Sequence, residues 1–156
     1  MYKIFTALTF ALCIIFTATA FAESNFVEVG TDEGGSKYFI ETSRIKVLKR
    51  EGGELIFSAH FVTVLSDEER KEVINFYRTN GADLAALDSL TNYCMQVIQF
   101  KESGGTQYLC VTDLFFFDKN KKLIKGIGFK DAEPEWEPVT AGTITETLYN
   151  AAKLYI

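Results

Sequence analysis

Between Leu55 and Leu65 the side chains alternate: Leu55, Phe57, Ala59, Phe61 and Leu65 fall on one side, Ser58 and His60 on the other. A period of two belongs to an extended strand whose two faces meet different surroundings. The chain must therefore build a sheet with an apolar face, and something must cover that face.

Strand-like runs recur around this one, separated by short turn signals. Phe26 to Gly30 and Lys37 to Thr42 flank Thr-Asp-Glu-Gly-Gly, and Ile45 to Leu48 leads through Gly52-Gly53 into the long strand. Two more runs, each carrying one cysteine, flank Glu-Ser-Gly-Gly, and VTDLFFFDKNKKLIKGIGFK turns over at Asp118 to Lys122. Short glycine-bearing links of this kind join antiparallel neighbours.

Two helices interrupt the pattern. Ser66-Asp67-Glu68-Glu69 has the spacing of a capping box, with carboxylates at the positive end of the helix; Val73, Ile74, Phe76 and Tyr77 follow, and Asn80-Gly81 is a fitting stop. A further helical turn or two is expected from Asp83 to Leu90. Gly142 to Glu146 reads as a second capping box, and Ile144, Leu148, Ala151 and Tyr155 form an apolar stripe. The order predicts an α+β fold: a mainly antiparallel β-sheet of hairpins with a helical insert and a C-terminal amphipathic helix packed on one face. The βαβ alternation of a nucleotide-binding doubly wound sheet is absent.

The start of the chain bears on compartment. Lys3, the apolar stretch Ile4 to Phe16 and Ala20-Phe21-Ala22 make a secretory signal peptide over residues 1–22, leaving one domain over 23–156. A membrane anchor would need about 20 apolar residues, and Thr17 and Thr19 interrupt this stretch. Leu12 before Cys13 is too bulky for a lipoprotein signal. The expected protein is periplasmic, secreted or at the cell surface, with no stable membrane span after cleavage. Its net charge would be (16 − 1) − 21 = −6, which argues against nucleic acid as a partner.

Export decides how the cysteines are read. Cys94 and Cys110 would remain as an even pair where thiols oxidise, so a structural disulfide is expected. Closing a loop of about 15 residues would contribute on the order of 3 kcal/mol. The spacing does not suit C-x-x-C redox chemistry, and two cysteines with one histidine fall short of a metal site.

Other chemistry is sparse. His60 is the single histidine; as a general base it would need a nucleophile and an orienting carboxylate, and Ser58 lies on its own strand. Asp67, Glu68 and Glu69 serve helix capping, and Asp131, Glu133, Glu135 and Glu137 read as a solvated loop. The Gly-Gly pairs lack any phosphate-binding context. No cofactor and no metal are expected. Leu114 to Phe117 is apolar on both faces, so Phe115 and Phe117 are either covered or offered to a partner. Lys119, Lys121 and Lys122 form a basic tip beside them, either a charged turn that discourages edge pairing or a contact for an acidic partner.

The arrangement resembles the bacterial surface-adhesin protein E family of small exported domains. The resemblance rests on Lys37-Tyr38-Phe39-Ile40-Glu41 followed by Arg44-Ile45, the Phe57 to Val64 strand and Asn92-Tyr93-Cys94. It continues through Trp136-Glu137-Pro138-Val139 with Gly142 to Glu146-Thr147-Leu148-Tyr149. Glu41 stands where the family favours Asp, Arg44 where it favours a hydroxyl residue, and the last helix lacks the cysteine often found there. The resemblance implies an exported antiparallel sheet packed by a C-terminal helix, binding host extracellular-matrix and serum proteins without catalytic residues.

The function expected is that of an exported, non-catalytic binding module engaging a protein partner, host matrix or envelope, through an exposed sheet face or edge. Phe115, Phe117, Lys119, Lys121 and Lys122 are its candidate contacts. The alternative is a periplasmic inhibitor of a hydrolase that inserts Lys119 to Lys122 or Asp131 to Glu137 into a cleft. A hydrolase using His60 is the third reading.

Overall fold

The computed structural model describes residues 25–79, 89–128 and 134–156. The expected signal segment 1–22, the expected helix stop at Asn80-Gly81, residues 83–88 of the expected second helical stretch, and Asp131 and Glu133 lie outside the described residues.

Among the described residues the strands are β1 (Phe26–Thr31), β2 (Lys37–Glu41), β3 (Lys46–Glu51), β4 (Glu54–Val64), β5 (Leu90–Ser103), β6 (Thr106–Asp118), β7 (Leu123–Gly128) and β8 (Glu137–Pro138). The helices are α1 (Asp67–Thr79) and α2 (Ile144–Lys153), and a 3-10 turn spans Thr42–Arg44. All pairings are antiparallel, in the order β1-β2-β4-β5-β6-β7. The fold is α+β, as the pattern of hairpins and helices requires.

Three long strands form the middle of the sheet. One edge of β4 pairs along its whole length with β5, while its other edge is shared end to end by β3 and β2. The 3-10 turn carries the chain from one to the other. Likewise the outer edge of β6 takes β7 beside Asp113 to Phe117 and β8 beside Tyr108 and Leu109. Leu90, expected at the end of a helical stretch, instead opens β5 opposite Asp118. The runs expected as separate cysteine and aromatic hairpins share one continuous strand, β6.

Both helices cover the same face. Phe57, Phe61 and Phe100 are fully buried there, and the Phe57 and Phe100 rings stack at 5.2 Å. Leu148, Tyr149 and Ala152 of α2 close over them, the Tyr149 ring meeting Phe100 edge-on at 5.7 Å. The buried stripe of α2 is thus Leu148, Tyr149 and Ala152, rotated from the expected one, and Tyr155 is exposed. The rotation follows from polar anchoring: Tyr149 Oη and Lys153 Nζ both donate to the Glu102 carboxylate of β5. The expected box at Thr143 also differs, since its side chain makes no capping bond. Thr143 Oγ1 donates to the Thr140 carbonyl, and Glu146 accepts from the Gly142 N–H.

At the other end of this face, Val73 and Ile74 of α1 pack on Leu65, Leu90, Cys94 and Phe116. Its capping box closes through a third residue. Ser66 Oγ accepts from the Glu69 N–H at 3.2 Å, but the Ser66 N–H donates to Ser36 Oγ at 2.8 Å, and Ser36 Oγ donates to Glu69. Gly34 makes room for this: a Cβ there would stand 2.8 Å from Glu69 Oε1.

The expected disulfide is not formed; Cys94 and Cys110 are free and buried. The Gly104-Gly105 turn, both residues at positive φ, pairs Ser103 with Thr106 and so fixes the register of the hairpin. Cys94 then faces Phe116, whereas Cys110 faces Gln99, five residues further along β5 and so about 17 Å away. A disulfide needs Cα atoms about 4.4–6.8 Å apart. A bulge lies between the two cysteines: Val97 opposes Asp113 and Ile98 opposes Val111, leaving Thr112 unpaired with its hydroxyl on the Val97 carbonyl. Cys110 shares its face with Gln99, an odd number of residues from Cys94 along β5, so it points to the face opposite Cys94.

Candidate functional site

With both described helices on one face, the other face of the sheet has no described helix over it. Strict pairing lines up Phe39, Val62, Met95 and Phe115 straight across β2, β4, β5 and β6. The next rank holds Lys37, Val64 and Tyr93. These apolar side chains share a face because β4 stops alternating after His60: Val62 and Val64 are apolar where Ser58 and His60 are polar. The open face of β4 thus carries two successive apolar side chains, Val62 and Val64, at this end.

A groove of about 520 Å³ crosses this region. Phe26, Phe39, Val62, Tyr93, Met95 and Phe117 are among its walls, and Asp118, Lys119 and Lys121 stand at the end formed by the β6–β7 turn. That volume lies within the range of ligand-binding clefts, roughly 300–1,000 Å³, which are apolar with few polar groups. Tyr93 is 42% exposed and the rest of this apolar set is half-buried.

The turn at the mouth is tightly bonded. The Asp118 carboxylate accepts from the N–H groups of Asn120 and Lys122 at 2.8 and 2.9 Å, and the Asp118 N–H donates to the Lys122 carbonyl at 2.8 Å. This arrangement holds Lys121 at a φ of 62°, a left-handed conformation uncommon for a side chain of its kind. The lysines are thus presented on a fixed backbone. No ion pair engages Lys119, Lys121 or Lys122 among the described residues.

Of the residues singled out from the sequence, the structure brings Phe117, Lys119 and Lys121 together at the groove. Phe115 shares the face and the apolar rank but does not line the groove, and Lys122 is exposed at the far side of the turn. Phe26, Phe39, Val62, Val64, Tyr93 and Met95 were not anticipated. Val62 and Val64 carried a signal, because they break the polar alternation of their strand; Phe26 and Phe39 line the same groove as Phe117 only through the order of strands β1-β2-β4-β5-β6.

Beyond the groove the face becomes polar. His60 follows, paired across the ladder with Val97. Its Nδ1 is buried without a hydrogen-bond partner. Burial and the Arg44 guanidinium hold its imidazole below the ordinary value of 6.5, against the opposing pull of Glu41 and Asp113. Arg44 itself is paired with Glu41 at 3.1 Å. At the far end Lys101 Nζ sits 4.9 Å from the Tyr108 ring centroid and 4.5 Å from that of Trp136, and Lys49 Nζ bonds Glu54 at 2.6 Å. A second cavity of about 510 Å³, bordered by Arg50, Glu54, Glu102 and Lys153, lies at that end.

The thiols are set for structure. Burial pushes the Cys94 thiol up to about 12, the Gln96 side chain opposing weakly. Burial raises the Cys110 thiol as well, with the Glu135 and Glu137 charges acting in the same direction. Neither is a thiolate near neutrality.

Among the described residues no cluster of three or more His, Cys, Asp or Glu side chains is placed to hold a metal ion, and no helix is long and apolar enough to cross a membrane. Comparison with family models, with curated proteins and with solved structures finds no match to this chain.

Proposed function

We propose that this protein is an exported, non-catalytic binding module, similar to the surface-adhesin E domains, and that it engages a protein partner through the face of its sheet opposite the two helices. The observation that carries this reading is the apolar rank Phe39, Val62, Met95 and Phe115 and the groove beside it, on a face that no described helix covers. Contiguous apolar surface rimmed by polar residues marks interaction sites. A sheet stiffened on its other side by Phe57, Phe100 and Tyr149 supplies a preformed platform, which lowers the ordering cost of association.

The non-catalytic part of the reading is supported at His60. Its ring lacks a hydrogen bond at Nδ1, the position at which a general base is normally oriented by a carboxylate.

The test is capture of partners from envelope extract and from host-matrix proteins by the domain 23–156, beside a Met95→Lys variant that puts a charge on the open face. Loss of the captured partner in the variant, with the melting temperature retained, supports the reading. Equal capture by both proteins overturns it.

A further inference from the structure

The groove has an apolar floor and a basic end, and the two together select a ligand. Phe26, Phe39, Met95 and Phe117 offer only apolar contact, while Lys119 and Lys121 stand at the β6–β7 turn. These lysines differ from three others on the sheet and its helix, though Lys37, Lys46, Lys71 and Lys122 likewise have no ion pair among the described residues. Lys49 is bonded to Glu54, Lys153 to Glu102, and Lys101 lies over the Tyr108 and Trp136 rings, but no ion pair engages Lys119 or Lys121 among the described residues. On a chain of net charge −5, unpaired cations beside an apolar groove are set against the overall field. The Asp118 carboxylate at the same turn accepts from two backbone N–H groups and keeps its charge, so with Lys119 and Lys121 this end of the groove carries an excess of one positive charge.

Resting on the binding reading above, we infer that the part of the partner entering this groove is a peptide segment of bulky apolar residues ending in carboxylates, its apolar side chains against Phe39, Met95 and Phe117 and its acidic end at Lys119 and Lys121. Apolar contact supplies the affinity, and the charged end sets which way the segment lies. An apolar segment ending in lysines would meet like charge at the same turn.

The experiment is isothermal titration of the domain 23–156 with three blocked peptides: a Phe- and Leu-rich segment ending in glutamates, the same segment ending in lysines, and a serine-rich segment ending in glutamates. Dodecanoate, an apolar chain with one carboxylate, is titrated alongside. The apolar, acidic peptide should bind about tenfold more tightly than the apolar, basic one, as expected for two exposed charge pairs. Lys119→Gln with Lys121→Gln should abolish that preference, and high salt should reduce it. Tyr93→Ser, at an exposed position where the fold is not at risk, should weaken the peptide severalfold.

Equal binding of acidic and basic peptides, or tight binding of the serine-rich one, overturns the inference. Binding of dodecanoate in place of the peptide also overturns it. If no peptide binds while Met95→Lys still abolishes partner capture, the inference fails and the open-face reading stands. If Met95→Lys leaves capture intact, the open-face reading itself fails.

Discussion

The Ser36 hydroxyl accepts a hydrogen bond from the backbone N–H of Ser66 at 2.8 Å, so the β1–β2 turn caps a helix that begins thirty residues later. Ser36 is fully buried, and it also donates to Glu69 in the first turn of that helix. The helix that shields Cys94 and Phe116 is therefore held at its start by a distant part of the chain.

Replacing Ser36 with Ala leaves the Ser66 N–H and the Glu69 carboxylate without their partner. A buried donor left unsatisfied costs about 1–3 kcal/mol, so Ser36→Ala should destabilise the domain by roughly 2 kcal/mol. Urea unfolding would measure it. A change under about 0.5 kcal/mol would show that water replaces the hydroxyl and that the relay is not a structural tie.

Cys94 and Cys110, on opposite faces and five residues out of register, should remain thiols even under oxidising conditions. The domain 23–156, unfolded in denaturant without reductant, should release two reactive thiols per chain. In the native protein Cys94, its thiol pushed up to about 12, should alkylate far more slowly than a free cysteine at pH 8. A mass two units lower, marking an internal disulfide, would refute the strand register.

The two faces of the sheet should respond differently to truncation. Phe100→Ala opens the helix-covered core at a fully buried ring stacked on Phe57, and should cost about 3–5 kcal/mol. Tyr93→Ser, on the open face, should stay within about 1 kcal/mol. Thermal or urea unfolding compares them; similar losses at both sites would mean that something covers the second face as tightly as α2 covers the first.

His60 makes a pH prediction whose sign follows from its environment. Its folded value lies below the ordinary 6.5, chiefly through burial and then through Arg44. The unfolded chain therefore binds the proton more readily, and stability present above pH 6.5 declines as pH falls through the folded value. His60→Gln should remove the part of this decline that begins as pH falls below the ordinary histidine value of 6.5. An unchanged melting profile in the variant would assign the acid sensitivity to other groups.

Much of the secondary structure was legible because it depends on neighbours in sequence. The period of two in β4, the glycine turns at Gly52-Gly53 and Gly104-Gly105, and Ser66 with Glu69 each encode a local geometry, and all appear where the spacing puts them. The cysteine pairing failed for a reason partly visible in the chain: Cys94 precedes Gly104 by ten residues while Cys110 follows Gly105 by five, so a tight turn cannot bring them opposite. The extra residue at Thr112 was not visible, because nothing in Val111-Thr112-Asp113 distinguishes a bulge from a regular strand.

The sequence by itself determined the elements and the apolar side of β4, since backbone geometry and side-chain alternation are properties of a few consecutive residues. Only the tertiary structure decided which face the described helices leave uncovered and which residues meet on it. Phe26, Phe39, Met95 and Phe117 come from four different strands, and their meeting depends on strand order and register. Those are set by long-range pairing and by the helices claiming the opposite face, information that no single stretch of the chain contains.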